Sequence, residues 1–171
     1  MLTGYLARLA QTAVGSTLRS RVPLLGEARL PSRVWPTDID PYLHVNNGRY
    51  LTLMDFARFD HALRTGLFKV ATRHKWFPVA ASSSVQFRRE LKPFQAYEIT
   101  TRLADWDSKW LWVEHRFERQ GAVHTWAGIR IVFRHQGRSI PPADVLAAAG
   151  EPDAKPSPSE QLSRWSASEQ R

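Results

Sequence analysis

The chain has 171 residues, 43% of them apolar and 23% charged, with a net charge of +8 and no cysteine. That length suits one domain able to bury a real core. The missing cysteines exclude a disulfide framework, a thiol nucleophile and a thiolate metal site. The positive charge fits either a solvated basic surface or an anionic partner, such as a phosphorylated cofactor, an acidic carrier protein or lipid headgroups. With no zinc knuckle, ribonucleoprotein box or Arg-rich tract, nucleic acid is not expected as a partner.

No run of about 18 apolar residues occurs, so no spanning helix is expected. In residues 1–22, Leu2, Tyr5, Leu6, Leu9, Ala13 and Leu18 recur near helical spacing. The segment lacks the apolar block of a secretory signal and reads as a packed amphipathic helix, with weak association to a membrane surface as the alternative. Residues 1–28 are therefore set apart from the main domain at 29–149. Residues 23–28 form a connector, and 28–35 alternate weakly as a strand in which Pro31 favours an edge.

The next stretch, Asp38-Ile39-Asp40-Pro41-Tyr42-Leu43-His44-Val45-Asn46-Asn47-Gly48-Arg49-Tyr50, carries the clearest chemistry. Two carboxylates, an imidazole and two Asn amides share a Pro-broken loop directly before a helical pattern. Such a loop can hold an acid or base against a carbonyl, while N–H groups at the helix start polarise it. From Asn47 to Thr65, Tyr50, Leu53, Met54 and Ala57 form one apolar stripe, widened by Phe56, Phe59 and Leu63. A face that wide predicts a helix wrapped on most sides. Asn46 or Asn47 caps its start, and Gly66 ends it.

After a basic link (Lys69, Arg73, His74, Lys75) the period becomes two. Strands are expected at 77–87, 96–106, 110–119 and 123–135, joined by short turns into an antiparallel meander. His115 falls on the same side of its strand as Leu111, Val113 and Phe117. A short helix is expected at 141–149. Residues 150–171, rich in Pro, Ser, Glu and Lys, read as a mostly disordered tail. A long apolar helix followed by an antiparallel sheet is buried most simply by curling the sheet around the helix, an α+β architecture.

The order of strand, Asp-x-Asp loop, His-Val-Asn-Asn, buried helix and four-stranded meander resembles the hotdog-fold acyl-CoA and acyl-carrier-protein thioesterases of the 4-hydroxybenzoyl-CoA type. Leu51 to Arg58, Leu91-Lys92-Pro93-Phe94 and Trp106-Asp107-Ser108-Lys109 bring it nearest to the thioesterase superfamily member 6-like group. The similarity covers about residues 30–140. It implies hydrolysis of an acyl-CoA or acyl-carrier-protein thioester, with Asp40 as nucleophile or base and His44 as its partner. Asp55 matches an acidic position within the helix, a second candidate acid. Where plant acyl-carrier-protein thioesterases carry an Asn, this chain has Tyr42, and many relatives carry Gly at the position of Leu43. The resemblance also implies a homodimer or dimer of dimers, with coenzyme A entering only as part of the substrate and no further cofactor. The other reading is a non-catalytic acyl-thioester or lipid-binding module.

Each residue also has a plainer role. Asp38 can cap a turn, His44 can be a structural imidazole, and Asn46 and Asn47 can be caps. Tyr50 is a candidate substrate contact that can equally be core, and Asp55 can pair with Arg58 or Arg49. The amides of Val45, Asn46, Asn47 and Gly48 are candidate oxyanion donors, since N–H groups at a helix start lack intrahelical partners. Arg88, Arg89 and Lys92 form either a solvated strand end or a contact for the phosphates of coenzyme A. The His residues lack metal spacing, so no metal site is expected. The composition fits a cytoplasmic protein.

Overall fold

A computed structural model describes residues 2–152, 155 and 158–169. Its elements in chain order are α1 (Leu2–Leu18), β1 (Ala28–Arg33), a 3-10 turn (Pro36–Asp38), α2 (Asn47–Thr65) and α3 (Leu67–His74). Then come β2 (Phe77–Phe87), β3 (Ala96–Trp106), β4 (Leu111–Arg119), β5 (Ala122–His135), β6 (Arg138–Ile140), α4 (Pro142–Ala148) and α5 (Glu160–Glu169). The strands form one antiparallel sheet in the order β1-β3-β4-β5-β2, with β6 pairing the end of β5. β2 occupies one edge.

The sheet curls around α2, as the hotdog resemblance implies. Tyr50, Leu53, Met54, Phe56 and Ala57 of α2 share one core with Ile99, Phe117, Ala127, Ile129 and Ile131 of the sheet. Alternation decides the faces: the same strands that send these residues inward send Ala104, Trp112 and Trp126 outward, into a separate cluster. The expected bounds of α2 hold. Gly66 stops it with φ 82, a left-handed conformation that glycine adopts without a Cβ penalty.

Three expectations need correction. The basic link at 69–75 lies largely within α3, because Ala71 is buried and Leu67 and Trp76 pack beside it against Leu24 and Leu103. The strand expected over 28–35 ends at Arg33, since Trp35 and Pro36 turn the chain into the 3-10 turn. The tail is not disordered at 160–169: α5 crosses the outer face of the sheet. Leu162 is fully buried there against Trp112 and Trp126, and the Trp165 ring meets Trp112 edge-on, 5.2 Å between centroids. Gly128 makes room for it, because a Cβ at that position would lie 2.6 Å from the Trp165 ring. Buried Glu114 fastens the start of α5, accepting from Ser159 Oγ, from Trp126 Nε1 at 2.5 Å and from Arg102 Nη2 at 2.6 Å.

α1 packs along α2. The Tyr5 and Phe56 rings lie 4.9 Å apart. Buried Asp60 of α2 accepts from Ser16 Oγ at 2.6 Å and Arg19 Nη2 at 2.7 Å. Among the described residues, no helix is long and apolar enough to cross a membrane.

Candidate active site

The loop between the 3-10 turn and α2 is built around a buried anion. Asp38 has no exposed side-chain surface. Its Oδ1 accepts from Arg8 Nη1 and Arg49 Nε, both at 2.9 Å, and its Oδ2 from Arg8 Nη2 at 2.9 Å and the Trp35 amide at 3.0 Å. Burial pushes this carboxyl's pKa up, but hydrogen bonds from Arg8, Trp35 and Arg49 outweigh it and hold the acid below its ordinary range. Every lone-pair direction is spent. Asp38 therefore ties α1, the loop and α2 together and has none left for a substrate.

Asp40, two residues on, is the opposite case. Its backbone closes the loop: the Asp40 N–H donates to the His44 carbonyl and its carbonyl accepts from the Leu43 N–H, both at 3.0 Å. The side chain is partly exposed. Oδ1 accepts from the Tyr42 amide at 3.0 Å, and His44 Nδ1 lies 3.6 Å from the same oxygen. Among the described residues Oδ2 has no partner, which leaves it for a substrate or a water. The Tyr42 ring stacks over His44, 6.0 Å between centroids. Leu43 sits at the loop's tip with φ 63, in the left-handed region. Its side chain is largely exposed, so the turn tolerates rather than uses it.

The helix start offers fewer donors than its sequence promises. The Val45 N–H donates to the Leu91 carbonyl and the Asn46 N–H to the Asp38 carbonyl, each at 2.9 Å. The Gly48 N–H is capped by Asn46 Oδ1 at 2.9 Å. Val45, Asn46 and Gly48 are thus corrected as oxyanion donors. In this run the exposed Asn47 N–H finds no acceptor among the described residues and sits on the positive end of α2. Tyr50 is also corrected: it is 2% exposed, and its ring packs 4.9 Å from Phe117 and 5.1 Å from Phe87.

The Val45–Leu91 bond draws the segment 88–92 against the motif loop. Arg88, Arg89 and Lys92 are exposed there. Lys92 Nζ pairs with Glu90 at 2.9 Å, and this pairing lowers the Glu90 carboxyl's pKa. Asp55 does not join the group. The helical rise sets it about 12 Å beyond Asn47 along α2. There it pairs with Arg58, and burial, only partly offset by Arg58, raises its pKa.

Beyond Asp55 an apolar cavity of about 460 Å³ opens between α2, α3, α4 and the sheet. A shallower groove along α2 and β2, lined by Leu51, Ala81 and Ser83, shares Asp55, Arg58 and Ala80 with it. Thr101, His115 and His61 form a polar cluster here that the sequence marked only faintly, through a histidine on an apolar strand face. Among the described residues, no group of three His, Asp or Glu side chains could hold a metal ion.

A sheet curled about a long central helix, with the Asp-x-Asp loop at that helix's start, is the hotdog fold. Residues 34–164 match the thioesterase-like superfamily, and the chain belongs to that family. It is 43% identical to Protein THEM6 of Xenopus laevis over 94 residues, 55% of this chain and 45% of that one. The chain thus spans about half the length of the curated relatives it matches. Its fold is that of the probable thioesterase YbaW of Escherichia coli, with TM-score 0.67, 24% identity and coverage of 74% of this chain and 98% of that one. It is also that of SAV2348 of Staphylococcus aureus, solved in complex with CoA, with TM-score 0.67, 16% identity and coverage of 84% and 96%.

Proposed function

We propose that this protein hydrolyses an acyl thioester of coenzyme A to the free acid and thiol. What supports this reading is that one motif holds both Asp40 Oδ2, which no described residue engages, and the Asn47 amide at the start of α2, which none of them caps. A thioester carbonyl placed between them presents its carbon to the carboxylate, or to a water the carboxylate deprotonates, and its oxygen to the amide. His44, its Nδ1 3.4 Å from the Val45 carbonyl and 3.6 Å from the other carboxylate oxygen, supplies the imidazole that serves the departing thiolate. Arg88, Arg89 and Lys92 supply cationic contacts suited to the phosphates of coenzyme A, consistent with the CoA bound by a structural neighbour. An acyl-carrier-protein thioester presents the same reacting bond and is the alternative substrate.

One amide is a sparse oxyanion site. A second copy of the chain is the natural source of a further donor and of cover. β2 leaves eleven residues of unpaired strand edge, with Phe77 and Phe87 about half exposed at its ends. Such an edge calls for a partner, and we assign β2 to a homodimer contact. A dimer of dimers built on the outer sheet face would have to displace α5.

The test is release of free coenzyme A across aromatic, short-chain and long-chain acyl-CoA substrates. Wild-type protein should turn over at least one, and Asp40→Ala should lower kcat by about 10³-fold or more. Unchanged turnover in the variant would reject the role of Asp40. Saturable acyl-CoA binding without turnover in the wild type would establish the non-catalytic reading, which the capped amides of Val45, Asn46 and Gly48 favour.

A further inference from the structure

The apolar cavity contains a polar chain for which hydrolysis at Asp40 has no use. His115 of β4 is completely buried and faces Thr101 of β3 across the ladder. Arg58 Nη1 lies 3.3 Å from His115 Nε2, and His115 Nδ1 lies 2.9 Å from Thr101 Oγ1. A guanidinium can only donate, so Nε2 accepts and the ring proton sits on Nδ1. Burial first, then Arg58 and His61, hold the His115 pKa well below its usual value, which keeps the ring neutral and this tautomer fixed. Nδ1–H then donates to Thr101 Oγ1. The Thr101 hydroxyl hydrogen is left to donate into the cavity that Thr101 lines.

His61 lines the same cavity. It is 5% exposed, and its Nε2 is buried without a partner. With the ring neutral and its proton on Nδ1, Nε2 is a bare acceptor. A buried polar group without a partner is costly, and one that lines a cavity is satisfied by a donor that enters it.

A donor and an acceptor exposed to one apolar cavity match a group that can both accept and donate, which is a hydroxyl. Asp55 and Arg58 at the cavity mouth neutralise each other, so a charged substituent finds no counter-ion there. Helical rise places Arg58 about 16 Å and His61 about 21 Å beyond Asn47, the reach of a medium to long acyl chain laid along α2. The groove, which begins at Leu51 about one helical turn past Asn47, and the cavity share Asp55, Arg58 and Ala80 as walls along that path. We propose that Thr101 and His61 select an acyl chain bearing a hydroxyl in its distal half over a plain hydrocarbon chain of the same length.

This inference rests on the thioesterase reading for the placement of the carbonyl, so its test reads binding as well as turnover. Non-hydrolysable thioether analogues of dodecanoyl-CoA and hexadecanoyl-CoA, each plain and terminally hydroxylated, are titrated calorimetrically into the full chain. For the better-fitting length the hydroxylated analogue should bind about tenfold tighter, the worth of one buried hydrogen bond. Thr101→Val and His61→Phe should each shrink that ratio to about twofold or less, while Thr101→Ser preserves it. Equal affinities in the wild type, tighter binding of the plain chains, or a ratio that survives both variants would overturn the proposal. The wild-type comparison decides even if a variant fails to fold. Selective binding without turnover of the corresponding thioesters would reject the hydrolase and keep the selectivity. Turnover with no preference would do the reverse.

Discussion

Asp38 and Asp40 show how little residue type alone decides. They share a loop and a charge, yet one is spent on structure and the other has an oxygen to spare. Asp38→Asn should destabilise the fold by about 2–3 kcal/mol, because it leaves two guanidinium groups facing a neutral amide, although both retain some solvent. Urea denaturation reads this. Leu43→Gly should do the opposite, adding about 1 kcal/mol by relieving a left-handed leucine that makes little use of its side chain; an unchanged midpoint would contradict it. Burial lowers the His61 pKa from 6.5 to about 4, mainly by excluding the charged form. Between those values the unfolded chain binds the proton and the native one does not, so His61 stabilises fully above pH 6.5 and loses that contribution as the pH falls towards 4. Thermal unfolding should show the loss, and His61→Phe should flatten it. The motif announced that a carboxylate and a histidine sit before α2. It could not say which of two aspartates faces outward, because Arg8, which decides the matter, lies 30 residues away in another element. Nor could spacing reveal that Leu91 and Asp38 consume the amides of Val45 and Asn46.

At the scale of elements, α2 and the strands were legible because their periods are strong and their stops are chemical: Asn46 at the start of α2, Gly66 at its end, short turns between strands. What escaped were α3 and α5, short helices with polar compositions whose reason to form is tertiary. α5 exists because Trp112, Trp126 and the bare backbone at Gly128 offer Leu162 and Trp165 a seat on the outer sheet face. Gly128→Ala drives a methyl into the Trp165 ring. It should cost about 1–3 kcal/mol and shift tryptophan emission to the red as that ring is expelled. If emission and stability are both unchanged, α5 does not bind as described.

For the whole molecule, the sheet presents the long edge of β2 and a face covered by α5. Ala81→Lys, in the exposed middle of β2, should convert a dimer to a monomer in light scattering and reduce turnover along with it. A dimer that persists would move the interface elsewhere. The general plan, a sheet wrapped on a helix, was written in the order of periods along the chain. The polar floor of the cavity was not, since Arg58, His61, Thr101 and His115 meet only after β3 and β4 align and α2 is laid across them.

The grip of Arg8 on Asp38 makes the first helix a lever on the proposed reaction centre. Whatever tugs at residues 2–18, whether a neighbouring domain, an anchoring surface or a tag added in the laboratory, pulls on a carboxylate only two positions from Asp40. Trimming the helix away should silence chemistry well before it melts the sheet.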